Sequence, residues 1–110
     1  MGVYDAVHEL ANQLKHSKEY LEYKTIKDKV YVNPEVKEKI EEFEKIRYEA
    51  QLLTIHGEEQ NPEKMEKLQE LYKILLENKD IKNFFDAEVR FNVLLADVNK
   101  IIGEAVKDVL

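Results

Sequence analysis

The sequence predicts an all-α protein: a helical bundle with a long antiparallel helix hairpin and a long C-terminal helix, expected to pair with a second copy. Three observations lead there. Apolar residues recur at three- and four-residue spacing along the whole 110-residue chain, the period of an amphipathic helix. Only three Gly and two Pro interrupt that pattern, and charged residues make up 36% against 44% hydrophobic, the balance of a chain helical nearly end to end. Near the C-terminus the apolar surface is wider than one helix contact uses.

The first helix is expected over about residues 3 to 15, with Val3, Val7, Leu10, Ala11 and Leu14 on one face. His16-Ser17 breaks it, and Ser17 is placed to cap the second helix, about 18 to 31, which carries Tyr20, Leu21, Tyr23, Ile26 and Val30. The β-branched Val30 and Val32 leave the end of that helix open. Asn33-Pro34-Glu35 is a strong start signal. Asn accepts from free amides, Pro is preset for the first helical position, and Glu favours the positive end of the dipole. The third helix then runs to about His56 with a stripe of Val36, Ile40, Phe43, Ile46, Ala50 and Leu53, and Gly57 stands at the expected C-terminal cap. Asn61-Pro62-Glu63 repeats the start signal and opens a fourth helix to about Glu77, bearing Met65, Leu68, Leu71, Tyr72, Leu75 and Leu76. The short connection makes the third and fourth helices an antiparallel hairpin. The fifth helix begins near Asp80, and Gly103 is either its stop or a tolerated interior glycine. Run to the C-terminus, it is about 45 Å long. A single domain is expected over 1–110, made of two short N-terminal helices (1–32) and the hairpin plus last helix (33–110), because this length closes one modest core.

Composition removes several classes of function. There are 17 basic and 23 acidic residues, a formal charge of −6, so the cationic footprint that direct nucleic-acid binding needs is missing. Arg47 and Arg90 are the two arginines, and the 15 lysines interleave with glutamates as on a solvated face. Cysteine is absent, which excludes disulfides, thiolate zinc sites, cysteine-held iron–sulfur clusters and thiol catalysis. No stretch approaches the ~18 apolar residues of a membrane span. The N-terminus has no signal-peptide pattern, and Ala6 stands where a myristoylation signal has Ser or Thr. A cytoplasmic location, with no membrane or direct nucleic-acid partner, is the expectation.

The histidines carry no chemistry by spacing. Glu-x-x-His, the motif of di-iron bundles, needs Glu where the chain has Asp5, Gln13 and Leu53, and His8-Glu9 is followed at position 12 by Asn12, so the zinc-protease motif fails. His56 suits the C-terminal end of a helix dipole. Gly-rich phosphate loops and nucleophile elbows are missing. No catalytic, metal or cofactor residue is expected.

The most informative pattern is Phe84, Glu88, Phe91, Leu95, Val98, Ile102, Ala105 and Val109, alternating four and three. That is a heptad seam. Ile81, Phe85, Val89, Leu94, Ile101 and Val106 widen it. Two readings remain open: a central core helix wrapped by its own chain, or a helix packed partly on a second subunit. The candidate core or dimer seam is Phe84, Glu88, Phe91, Leu95, Val98 and Ile102, with Glu88, Arg90 and Arg47 as candidate buried polar groups. A charge at a seam position needs a partner. Arg90 points about 200° away from Glu88 round the helix, so Glu88 is expected to meet a Lys, Arg47 or a tyrosine hydroxyl from another helix.

The chain resembles the bacterial YheA/YmcA-like proteins, the YlbF family of competence and development regulators. Val3-Tyr4-Asp5-Ala6-Val7-His8-Glu9-Leu10-Ala11, Asn33-Pro34-Glu35-Val36-Lys37-Glu38 and above all Phe85-Asp86-Ala87-Glu88-Val89-Arg90-Phe91 carry the resemblance. Leu94-Leu95-Ala96-Asp97-Val98 and Ile101-Ile102-Gly103-Glu104 continue it. It implies a dimerising helical bundle in the cytoplasm of Gram-positive bacteria. YlbF and YmcA members act in a complex that influences competence, sporulation and RNA processing by a membrane-bound ribonuclease. This chain is closer to the YheA branch, whose biochemical role is not established, and it lacks the cysteines associated with an iron–sulfur cluster in some relatives. The expected function is thus a non-enzymatic, homodimeric interaction or regulatory adaptor. The alternative is a small-molecule- or metal-responsive regulator with a pocket near Glu88, Arg90 and the tyrosines.

Overall fold

The structure is a computed structural model that describes residues 2–110, and every regular element in it is helical: α1 (Val3–Lys15), α2 (Lys18–Val30), α3 (Pro34–Ile55), α4 (Pro62–Leu76) and α5 (Lys79–Val106). Local chemistry sets the boundaries. Ser17 Oγ accepts from the Tyr20 amide at 3.2 Å and donates to the Leu14 carbonyl at 2.6 Å, closing α1 and opening α2 with one side chain. Asn33 Oδ1 accepts from the Glu35 and Val36 amides at 3.0 and 3.4 Å. Asn61 does the same for Glu63 and Lys64 at 2.9 and 3.4 Å. Asn78 is a third such cap, accepting from Asp80 and Ile81 at 2.9 and 3.2 Å, so α5 starts one residue before the expected Asp80. Each cap satisfies amides the first turn leaves orphaned, worth typically about 1 kcal/mol.

At the end of α3, Gly57 takes φ +70°. Its amide donates to Thr54 O at 3.1 Å and the Glu58 amide to Leu53 O at 2.9 Å, the paired bonds of a left-handed helix stop. Gly103 lies inside α5, which continues to Val106.

The chain divides into two compact units, Met1–Lys27 with Phe84–Leu110, and Asp28–Asn83. In the second unit α3 and α4 form the expected antiparallel hairpin. Phe43 stacks on Tyr72 with centroids 5.4 Å apart, Lys67 meets Glu42 at 3.5 Å and Lys64 meets Glu49 at 3.4 Å. Partners thus descend along α3 as they ascend along α4. Val30, Ile40, Phe43, Leu75 and Ile81 are buried in this unit, and such burial contributes roughly 1.5–3 kcal/mol per large side chain. The ion pairs lie on the exposed rim and add roughly 0–1 kcal/mol each.

In the first unit α2 and the adjoining part of α5 are joined by aromatic rings. Tyr20 meets Phe91 edge-on at 5.7 Å, while Tyr23 contacts Phe84 at 5.5 Å and Phe91 at 5.9 Å. The numbering of these pairs makes the two helices antiparallel. Phe84, Phe85, Ala87 and Glu88 are buried.

Gly57, past the end of α3, and Gly103, inside α5, predict opposite responses to one substitution. A Cβ at either meets nothing within 4 Å, so only the backbone matters. Gly57→Ala is expected to lower stability by about 1 kcal/mol through its left-handed φ, and Gly103→Ala to raise it by about 0.5–1 kcal/mol inside a helix. Urea denaturation of the two variants checks both signs.

Candidate functional site

The seam residues of α5 grade from core to surface. Phe84 is 0% exposed and Glu88 7%, while Ile102 is 50% exposed. Phe91, Leu95 and Val98 lie between, half-buried. The cause is local: α2 supplies Tyr20 and Tyr23 over Phe84 and Phe91, and every residue from 101 to 110 is exposed.

Glu88 is the one buried charged residue among those described. Its Oε2 accepts from the Tyr23 hydroxyl at 3.2 Å. A carboxylate taken out of water is tolerated where such bonds replace its hydration. Arg90, a candidate buried group, is on the surface instead: its side chain is 53% exposed and its Nε lies 3.7 Å from Glu22. Two residues along a helix turn the side chain to the other flank, which explains why Glu88 faces inward and Arg90 outward. Arg47, in the other unit, is half-buried with its guanidinium 5.3 Å from the centre of the Phe43 ring, a cation–π arrangement.

Reactive groups do not converge. Among the described residues no group of three or more His, Asp or Glu side chains is placed to hold a metal, and no helix is long and apolar enough to cross a membrane. His8, His16 and His56 are exposed. His16 Nδ1 sits 2.8 Å from the Asn12 carbonyl, an end-of-helix contact.

Apolar surface, in contrast, is abundant. Val3 (77% exposed), Val7, Ile101, Ile102 and Val109 stand in solvent on α1 and at the C-terminal end. A second stripe runs along α3: Tyr48, Leu52 and Ile55, at four- and three-residue spacing, on a different flank from Ile40 and Phe43. This stripe was legible in principle, but α3 already carries a full core stripe, and an exposed apolar residue gives no separate sequence signal. Near it, Gln60 Nε2 donates to the Ala50 carbonyl at 2.8 Å and to Thr54 Oγ1 at 2.7 Å. That clasp borders an apolar cleft of about 460 Å³ lined by Arg47, Ala50, Gln51, Thr54, Ile55 and Met65 as well as Gln60.

Five helices with solvent-facing apolar stripes, and no strand among the described residues, define the structural class: a small all-α protein. Residues 3–107 match the family described as "Control of competence regulator ComK, YlbF/YmcA", and the chain belongs to that family. It is 39% identical over 104 residues to a UPF0342 protein of Symbiobacterium thermophilum, covering 94% of this chain and 93% of the relative. Its fold is similar to that of yheA from Bacillus subtilis, with TM-score 0.72, 22% identity and full coverage of both chains. It is also similar to a chain from the crystal structure of Bacillus subtilis RicA in complex with RicF, with TM-score 0.61, 22% identity and coverage of 96% and 93%.

The Tyr23–Glu88 bond predicts a measurable coupling. Tyr23→Phe is expected to destabilise by about 1–2 kcal/mol in the native background, because a donor to a buried carboxylate is lost. In a Glu88→Gln background the loss should be smaller, and a double-mutant cycle in urea reads the difference.

Proposed function

We infer that this chain is a non-enzymatic, cytoplasmic adaptor that acts as a homodimer and docks other proteins in a regulatory complex. The observation that carries this reading is that apolar stripes face solvent in each of the two units: Val3, Val7 and Ile101 in one, Tyr48, Leu52 and Ile55 in the other. An adaptor needs one face for itself and one for a client. Membership of a competence-regulator family supports a regulatory role, and a relative of the same fold has been crystallised in a protein complex.

The net charge of −6 favours protein clients over nucleic acid. The cleft beside Gln60 supports a second reading, a regulator responsive to a small apolar molecule. A ligand specific for the native state raises the melting temperature, so thermal-shift screening with metals and metabolites separates the two readings.

Two expected outcomes follow for the adaptor. Light scattering behind a sizing column should give about twice 13.0 kDa, and a single-chain mass at high concentration would sink the homodimer. Tyr48→Lys with Leu52→Glu should leave mass and melting temperature unchanged while abolishing in-cell crosslinking to a client. Unchanged crosslinking would remove α3 from the client surface.

A further inference from the structure

We propose that the cleft at the loop end of the α3–α4 hairpin is a binding site for a small amphipathic carboxylate, a medium-length hydrocarbon chain with one anionic end. This rests on the second reading above, the cleft as a ligand site, and names the class of ligand it takes.

The first reason is the lining. The cleft of about 460 Å³ falls within the roughly 300–1,000 Å³ of small-molecule pockets. Ala50, Ile55 and Met65 give it an apolar wall, and Arg47 is the charged member of the lining. Another cleft on the same hairpin, about 250 Å³, holds its own charges in two ion pairs, Lys67 with Glu42 at 3.5 Å and Lys64 with Glu49 at 3.4 Å. No carboxylate lines the larger one.

The second reason is where the polar groups point their donors. Gln60 Nε2 spends its two N–H groups on the Ala50 carbonyl at 2.8 Å and Thr54 Oγ1 at 2.7 Å, and the Thr54 hydroxyl donates to the same carbonyl at 3.2 Å. Those groups satisfy one another. The polar end of a ligand is left to Arg47 and Gln51, which stand four residues apart on one flank of α3. A guanidinium has five N–H donors, so an ion pair at one edge leaves another edge able to donate. The Arg47 guanidinium is held 5.3 Å from the centre of the Phe43 ring, and Phe43 is buried. The cation is thus restrained by a ring fixed in the core.

Charge and length select the occupant. A guanidinium fork takes a carboxylate through two parallel bonds, whereas a cationic head group would meet Arg47 as a like charge. One cation matches one negative charge, which favours a carboxylate over a dianionic phosphate monoester. Position 55 lies about 12 Å beyond position 47 along α3. With the head at Arg47 and Gln51, the tail runs toward Ile55 and Met65. The reverse orientation would set the anion at the negative end of the α3 dipole.

The test is calorimetric titration of the full chain with hexanoate, octanoate and decanoate, and with octan-1-ol, octylammonium and octyl phosphate as head-group controls. Each added methylene should tighten carboxylate binding about fourfold, and octanoate should bind about tenfold or more tighter than each control. Arg47→Gln should bring octanoate down to the affinity of octan-1-ol while leaving octan-1-ol unchanged, which a loss of packing alone would not do. If that variant unfolds, Gln51→Leu at an exposed position should cost octanoate roughly threefold to tenfold and spare octan-1-ol. The chain has two methionines, Met1 and Met65, so labelled methionine methyls give two resonances, and the one that Met65→Leu removes should shift with octanoate. Equal binding of octanoate and octan-1-ol, or tighter binding of octylammonium or octyl phosphate, overturns the carboxylate and leaves the cleft a ligand site. Absence of binding by all six compounds, or octanoate binding that leaves the Met65 methyl unmoved, overturns the cleft reading as well. Neither result touches the adaptor reading.

Discussion

The pairing of the Glu88 carboxylate with the Tyr23 hydroxyl, inside a cluster of aromatic rings, is the constraint that fixes the first unit. α5 is amphipathic along most of its length, and a uniformly apolar seam would let α2 slide by a turn with little change in burial. A buried carboxylate that accepts from the Tyr23 hydroxyl disfavours that, because a slide would break the bond. With Tyr23 held at Glu88, Tyr20 falls on Phe91 and Glu22 faces Arg90, so the polar contact and the ring contacts specify one register. Buried polar groups that specify register at some expense of stability are well attested in helical assemblies.

From that register comes the uneven coverage of α5. α2 is 13 residues long and α5 is 28, so the shorter helix covers only part of the longer one. The heptad pattern does not stop where the cover does, and it continues through Leu95, Val98 and Ile102 to Val109. Leu95 and Val98 are still half-buried there, whereas Ile102 and Val109 are exposed. The hairpin of the second unit is different, because α3 and α4 supply each other with Phe43, Tyr72 and Leu75 and close their own core.

The elements were legible because their signals are local. Asn-Pro-Glu twice, Ser17 between two apolar runs and Gly57 after a long stripe each state a boundary through one or two hydrogen bonds. Asn78 was missed as a cap because it lacks the following Pro, although it makes the same pair of bonds. Glu88 could be singled out as a charge in a seam, but which of several partners it takes is a matter of tertiary register, and sequence spacing left the Lys, Arg47 and tyrosine options equal. The neighbourhood of Arg90 in the chain suggests a buried group, whereas helical geometry sends it to the flank opposite Glu88, where its side chain is 53% exposed. The stripe Tyr48, Leu52 and Ile55 on α3 was hidden because periodicity shows that a helix has apolar faces without saying which of two will be covered.

Native-state hydrogen exchange at a series of protein concentrations tests most directly the claim that the uncovered surface is the self-association surface. Amides of α1 and the last turns of α5 are expected to gain protection as concentration rises, while those of the α3–α4 hairpin do not change, since association protects only what it stabilises. Protection in α1 that is independent of concentration, or a gain confined to α3, would contradict it.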